Sequence, residues 1–377
     1  MRQFPSQVVS DVEKISYEYG LKVAKAIESE WFDKDSFSNR YLHNRNNFHN
    51  LRLYARGEQS IQKYKNELSI NGDLSYLNLD WKPVPIIPKF VDIVVNGIAE
   101  RIYDVKAFTQ DPFGVSKRTK YMDQIMEDMR SRDLKNYVKE EFGMDLFNKS
   151  PDLLPDSQEE LDLHMQLNYK QAVEIAEEQA INTLLEGNKY DLIKRRFYYD
   201  ITVLGIGAVK TSFNTSEGVT IDYVDPANLV YSHTESPYFE DIYYVGEVKT
   251  IPVNEITKQF PHLTQEDLKE ITDYNNQNHG KYNNTFTEGD DDNNKVRILY
   301  FNYKTYMNEV YKMKETKSGG SKAIEKDDSF NPEDNNNFSK ETRKLECLYD
   351  GALVLGTKKL LKWEMAKNMM RPKSDYT

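Results

Sequence analysis

Between residues 189 and 250 the hydrophobic period switches from that of a helix to that of a strand within three residues, and this switch restricts the possible folds more than any other feature. Over 190–204, Ile193, Phe197, Ile201 and Leu204 recur at the spacing of one helix face. Gly205-Ile206-Gly207 ends that pattern. Residues 208–213 and 219–224 then alternate as two strands joined by a short polar turn, 214–218. Asp225-Pro226 turns a corner, 243–249 reads as another strand, and 252–260 as a short helix opened by proline. Gly205 to Thr211 superficially resembles a phosphate loop. Such a loop needs glycine directly before its lysine, where Val209 stands, and it runs from strand to helix rather than the reverse. The glycines are therefore read as a sharp helix exit.

The remainder of the first half reads as helical. Helices are expected over 6–30 and 51–67, separated by a polar, Asn-rich connection at 43–50, and Asn71-Gly72 marks a turn. A helix over 89–102 leads into a strand-like tail, 103–108, and another helix covers 116–142. After a proline break at 151–155, Leu161, Ala172, Ile175, Ala176, Ala180, Leu184 and Leu185 approximate one face, interrupted at Gly187-Asn188. Two stretches rich in Asn, Asp and Gly, 273–294 and 315–339, bury too little apolar surface to offset their ordering entropy and are expected to be mobile loops or disordered. They frame a β segment. Residues 296–304 and 309–314 read as one hairpin, and 344–349 and 352–355 as a second, closed by Asp350-Gly351.

The chain of 377 residues is 38% hydrophobic and 29% charged, a balance that calls for a heavily solvated surface or extensive loops. With 26 Tyr and 17 Phe, much of its contact surface must come from amphipathic rings, which suit subunit contacts. The single cysteine, Cys347, excludes an intramolecular disulfide and a cysteine-based zinc site, and points to a reducing cytoplasm. It alternates with Leu345 and Tyr349, the pattern of a buried structural thiol. No signal peptide is read at the start and no apolar run reaches the roughly 18 residues of a membrane span, so a soluble protein is expected. The net charge of −11 argues against general nucleic-acid affinity. It is unevenly spread: from Lys295 onward 17 Lys and Arg face 12 Asp and Glu, a net +5, leaving −16 on residues 1–294.

Motifs for chemistry are sparse. The histidines His43, His49, His164, His233, His262 and His279 include no helix-spaced pair, and Asp290-Asp291-Asp292 lacks the glycine and distant glutamate of a calcium loop. No cofactor, metal or catalytic residue is assigned. An enzymatic alternative would gather Asp222, Asp225 and Asp241 around magnesium. An aspartate before proline, as at 225, also serves simply to cap a turn.

The wording of 189–250, together with the proline-punctuated approach at 79–88 into the 89–102 helix, resembles portal proteins, the head-to-tail connectors of tailed double-stranded DNA phages. The likeness is nearest to short-tailed, crAss-like phages. It covers roughly residues 50–260 and, more loosely, 295–372, as an arrangement and not as a set of diagnostic residues. It implies an α+β, ring-forming fold: a mainly helical wing with β-hairpins over 1–250, a stem-like helix and acidic linker over 251–294, and a small α/β clip-like module over 295–377 with a disordered insertion at 315–339. It also implies that a returning stem helix, further wing and crown would follow Thr377 in a longer protein.

By the same resemblance the chain would form a homododecameric ring at one capsid vertex of the virion, assembled in the host cytoplasm. Genome packaging and ejection would pass double-stranded DNA through it without sequence specificity. Its partners would be the terminase motor, head-tail adaptor rings, and the major capsid and scaffold proteins, with no membrane. Lys304, Lys312, Lys314, Lys358, Lys359 and Lys362 would lie on or beside the clip strands, facing DNA or a partner; lysines on exposed strand edges also deter aggregation, and both readings stand. Other readings are a virion head-tail structural or adaptor subunit and the metal-dependent nucleic-acid-processing enzyme.

Overall fold

The computed structural model describes residues 4–32, 39–58, 60–69, 84–101, 104–144, 146–148, 154–167, 169–214, 218–277, 295–315, 320–327, 330, 338–366 and 374–377. The protein is mixed α+β and divides into two compact units, 1–99 with 193–377, and 100–192. These differ from the segments 1–250, 251–294 and 295–377 expected above, because strands from either side of 251–294 share one sheet.

In the first unit β1 (Ala208–Asn214) and β2 (Gly218–Val224) form the expected hairpin, paired from Ala208↔Val224 to Asn214↔Gly218. The larger antiparallel sheet runs β3 (Leu229–Tyr231), β4 (Tyr244–Pro252), β5 (Lys295–Glu315), β7 (Phe338–Val354), β8 (Leu360–Met365). β4 lies along 295–303 of β5, and β6 (Ser321–Lys326) takes the same edge at 310–315. Residues 374–377 return to β1: Val209 N donates to Thr377 O at 2.9 Å and Thr377 N to Val209 O at 2.8 Å, with Tyr376 buried.

Helices cover both faces of this sheet. On one face α1 (Asp11–Ile15) and α2 (Tyr17–Trp31) lie across Leu299, Phe301, Tyr303 and Leu353; α2 contributes Tyr19, Val23, Ala24, Ile27 and Trp31, spaced as a single stripe. On the other, α11 (Val253–Gln259) and α12 (Gln265–Gln277) bury Ile256 and Ile271 against Val296, Ile298, Ala352 and Val354. Each such side chain contributes about 1.5–3 kcal/mol of burial. The one helix expected over 6–30 is two, because Ser16 is extended and its Oγ caps the second by accepting from Tyr19 N.

The Asn-rich stretch at 43–50 is not a connection. It lies inside α3 (Arg40–Arg56), started by Asn39 accepting from Leu42 N and ended by left-handed Gly57; α4 (Ile61–Leu68) and α5 (Ile87–Ala99) follow. α10 (Tyr190–Leu204) ends as expected at Gly205, which is left-handed at φ 76°.

Both hairpins expected beyond residue 295 are corrected. β5 is one 21-residue strand and β7 one 17-residue strand, paired without a break from Ile298↔Val354 to Lys314↔Phe338. Asp350-Gly351 sits in mid-strand, and the actual turn lies at 355–359, with Gly356 at φ 83°. The stretch 315–339, expected as disordered, includes β6, and α12 enters 273–294 as far as Gln277; 278–294 lies outside the described residues. Nor is 295–377 an α/β module: among its described residues there are strands and no helix, the covering helices coming from 11–31 and 253–277.

Six of the tyrosines belong to the core, while others, among them Tyr17, Tyr137, Tyr238 and Tyr306, are exposed. Tyr19, Tyr41, Tyr244, Tyr303, Tyr349 and Tyr376 are buried, with Phe4 stacked near Tyr244 and Tyr303. A sheet covered by thin helices favours such rings, which span the layer and still bond at the hydroxyl, as when Trp31 Nε1 donates to Tyr244 Oη at 3.0 Å.

The second unit is helical. α6 (Pro112–Arg130), opened by Asp111 accepting from Gly114 N, and α8 (Gln158–Leu167) bury Ile125, Leu154, Leu161 and Met165 together. The helix expected over 116–142 divides at Ser131, where α7 (Arg132–Phe142) begins. α9 (Ala172–Gly187) is fixed by buried Glu174, which accepts from Thr109 N at 2.8 Å and Gln171 N at 2.9 Å. The strand-like tail expected over 103–108 forms no strand among its described residues, 104–108.

Candidate interaction surface

Beyond residue 304, β5 and β7 continue as an extension of the sheet, which β6 makes three-stranded from residue 310. No register shift occurs in either pairing, so directly paired residues share a face and the faces alternate strictly. One face then carries Lys304, Lys312 and Lys314 of β5, Lys322 and Lys326 of β6, and Lys340 and Lys344 of β7. Among the described residues its one acid is Glu346, 2.8 Å from Lys304 Nζ. Phe338 confirms the shared face: its ring centre is 3.8 Å from Lys312 Nζ and 5.6 Å from Lys314 Nζ, and Phe330 is 5.9 Å from Lys312 Nζ.

Three of the six expected lysines, Lys304, Lys312 and Lys314, thus lie together. The other three lie elsewhere. Lys359 pairs with Asp267 and with Glu270 at 3.1 Å, tying the β7–β8 turn to α12; Lys362 stands 3.6 Å from Asp350 and 3.9 Å from Glu364; Lys358 is in the turn, where its carbonyl accepts from Tyr17 Oη at 3.2 Å. Lys322 and Lys326 were missed because 315–339 was read as a loop, and Lys340 and Lys344 because the strand was begun only at 344 and its face was not followed back. The period-two pattern Lys340, Thr342, Lys344 against Glu341, Arg343 was the available signal.

The acids of the enzymatic alternative do not converge. Asp225 caps its corner by accepting from Ala227 N at 3.0 Å and also binds Arg52 through both oxygens, at 2.7 and 3.1 Å. Arg52 reaches Asp200 of α10 at 3.0 Å, and Tyr223 Oη donates to the other Asp200 oxygen. Burial pushes both carboxyls up, but the two-pronged contact with Arg52 holds Asp225 below the carboxylate range, whereas burial prevails at Asp200 and keeps it raised. Asp241 accepts from Thr234 Oγ1 and from Glu235 N, and Asp222 pairs across the hairpin with Lys210. Among the described residues, no group of three or more His, Cys, Asp or Glu is placed to hold a metal ion, and no helix is long and apolar enough to cross a membrane.

A second unusual surface is α5. It packs against α3 and buries Val95, while Phe90 and Ile93 remain 61% and 59% exposed, beside exposed Val84, Ile86 and Val94. No protein-family model matches the chain, and no curated protein matches it.

Proposed function

We propose that this chain is a portal-type, ring-forming subunit of a tailed-phage head, through which genomic DNA is packaged and released and to which the tail attaches. The α5 face carries the reading. Phe90, Ile93 and Val94 form a contiguous apolar surface on a helix, and a soluble chain keeps such a surface for association. The order of elements from α10 through the β1–β2 hairpin, the Asp225 corner, β4 and α11 supports it, being the arrangement on which the resemblance rests. A net charge of −11 suits a channel that must not grip its cargo, since each phosphate neutralised adds salt-sensitive affinity.

In this reading twelve copies stand at one capsid vertex, Lys304, Lys312 and Lys314 belong to the protruding clip, and the terminase motor, adaptor rings, capsid and scaffold are its partners. Lys358, Lys359 and Lys362 flank the clip at the β7–β8 end. Negative-stain imaging and light scattering of the purified protein test it: closed rings of about a dozen copies are expected. A protein that stays monomeric at every concentration, or that shows metal-dependent nuclease activity, overturns it.

A further inference from the structure

The face of the β6–β5–β7 extension opposite the lysines has the complementary charge. It carries Glu309 of β5, Glu325 of β6 and Glu341 of β7, with Arg343 as its one described base. Tyr311 pairs with Glu325 on one side and Glu341 on the other, and its Oη donates to Glu309 Oε2 at 3.0 Å, so the three carboxylates surround one ring. On the basic face Lys312 stands directly opposite Lys340, and Lys314 opposite Lys322. Like charges in directly opposed positions destabilise a sheet. Protection of strand edges does not call for this sorting, because Lys312 and Lys314 lie on the central strand. Within one copy Lys304 meets Glu346, and Lys312 and Lys314 meet the Phe338 ring, which offsets only part of that repulsion.

We infer that the extension stacks on itself between copies, the lysine face of one against the glutamate face of the next. Such a contact relieves the Lys–Lys repulsion of one partner with the carboxylates of the other, of which Glu309 alone has a base, Arg343, directly opposite it in its own sheet. It joins two different faces of the same chain, so it is heterologous: it passes from copy to copy and closes only where the rotation per step divides a full turn. The inference deepens the ring reading and rests on it for closure. A nucleic acid would satisfy the lysine face, yet it would leave the glutamates unused and approach a chain of net −11.

The test uses the full chain and two triple variants, Lys312→Glu/Lys314→Glu/Lys340→Glu and Glu309→Lys/Glu325→Lys/Glu341→Lys. All these side chains are half-buried or exposed, and circular dichroism with thermal melting checks that both variants fold. Wild-type association, read by sedimentation velocity, should weaken about tenfold or more between roughly 50 and 500 mM NaCl. Either variant alone should not associate: the first cancels its basic face, four remaining lysines standing against four carboxylates, and the second presents positive charge on both faces. Their equimolar mixture should, because each supplies the face the other lacks.

Rings that form equally well from either variant overturn this contact and leave the ring reading standing. Salt-dependent, mixture-rescued association into open filaments supports the contact and overturns the ring. Folded variants whose mixture fails to associate, or a lysine-face variant that loses DNA binding while assembling like wild type, overturn the contact. A wild-type chain that never associates overturns both.

Discussion

The ring of Phe301 lies across Gly351, close enough that a Cβ built there would stand 2.8 Å from Cε2. The two residues pair directly across β5 and β7, and the missing side chain gives Phe301 room to enter the core beneath α2. Gly351→Ala is therefore expected to lower stability by about 1–3 kcal/mol, the usual penalty of overpacking a core. Urea unfolding followed by circular dichroism measures it. Gly356→Ala, at the turn with φ 83°, should also destabilise, but through backbone strain, and Phe301→Leu should not relieve it. Phe301→Leu combined with Gly351→Ala should recover part of the loss.

Arg52 holds the Asp225 corner to α10 through Asp200. Arg52→Ala leaves two carboxylates beside each other, one with its side chain 3% exposed, and is expected to cost about 3–5 kcal/mol. Adding Asp200→Asn should return part of that loss by removing the buried charge. Additive losses in the double variant, measured by denaturant unfolding, would show that Arg52 and Asp200 are not coupled.

These two sites show what the sequence made legible. The helix at 190–204, the hairpin that follows and the corner at Asp225 rest on local patterns: a stripe, two alternations, a glycine exit and a proline. Asp350-Gly351 carries the same local signature as a hairpin turn, and only the Phe301 ring, fifty residues earlier in the chain, gives the glycine its different role. The lysine face was half legible for a similar reason. Lys312 and Lys314 lie in a run that reads as strand, whereas Lys322 and Lys326 lie in polar sequence that becomes strand by pairing with the exposed edge of β5. The break at Ser16 was legible in principle, since a serine three residues before a core tyrosine is an N-cap signal.

Cys347 faces the interior of the sheet opposite Thr305, and burial pushes its thiol up to about 11. Little thiolate then exists at pH 8, and what exists is shielded. The native protein should react with Ellman's reagent at least about a hundredfold more slowly than the urea-unfolded chain, with one thiol appearing only on unfolding. Rapid modification of the native chain would place Cys347 at an accessible surface. Cys347→Ser should destabilise it, because a hydroxyl there would need a partner that the thiol does not.

Asp267 joins α12 to the β7–β8 turn. Its hydrogen bond with Lys359, helped by Thr264, lowers its carboxyl to about 2. An unfolded aspartate titrates near 3.9, so the folded state binds the proton more weakly. The stabilisation from this pair is complete above about pH 4 and is lost as pH falls through about 2, where the carboxylate is neutralised. Asp267→Asn is expected to flatten the acid limb of the stability curve between those values and to leave its shape above pH 5 unchanged. Thermal melting across pH 2–6 reads this directly, and a variant whose acid limb runs parallel to wild type would assign the acid sensitivity to other carboxylates. Lys359→Met should flatten the same limb, because the shift originates in its ammonium group.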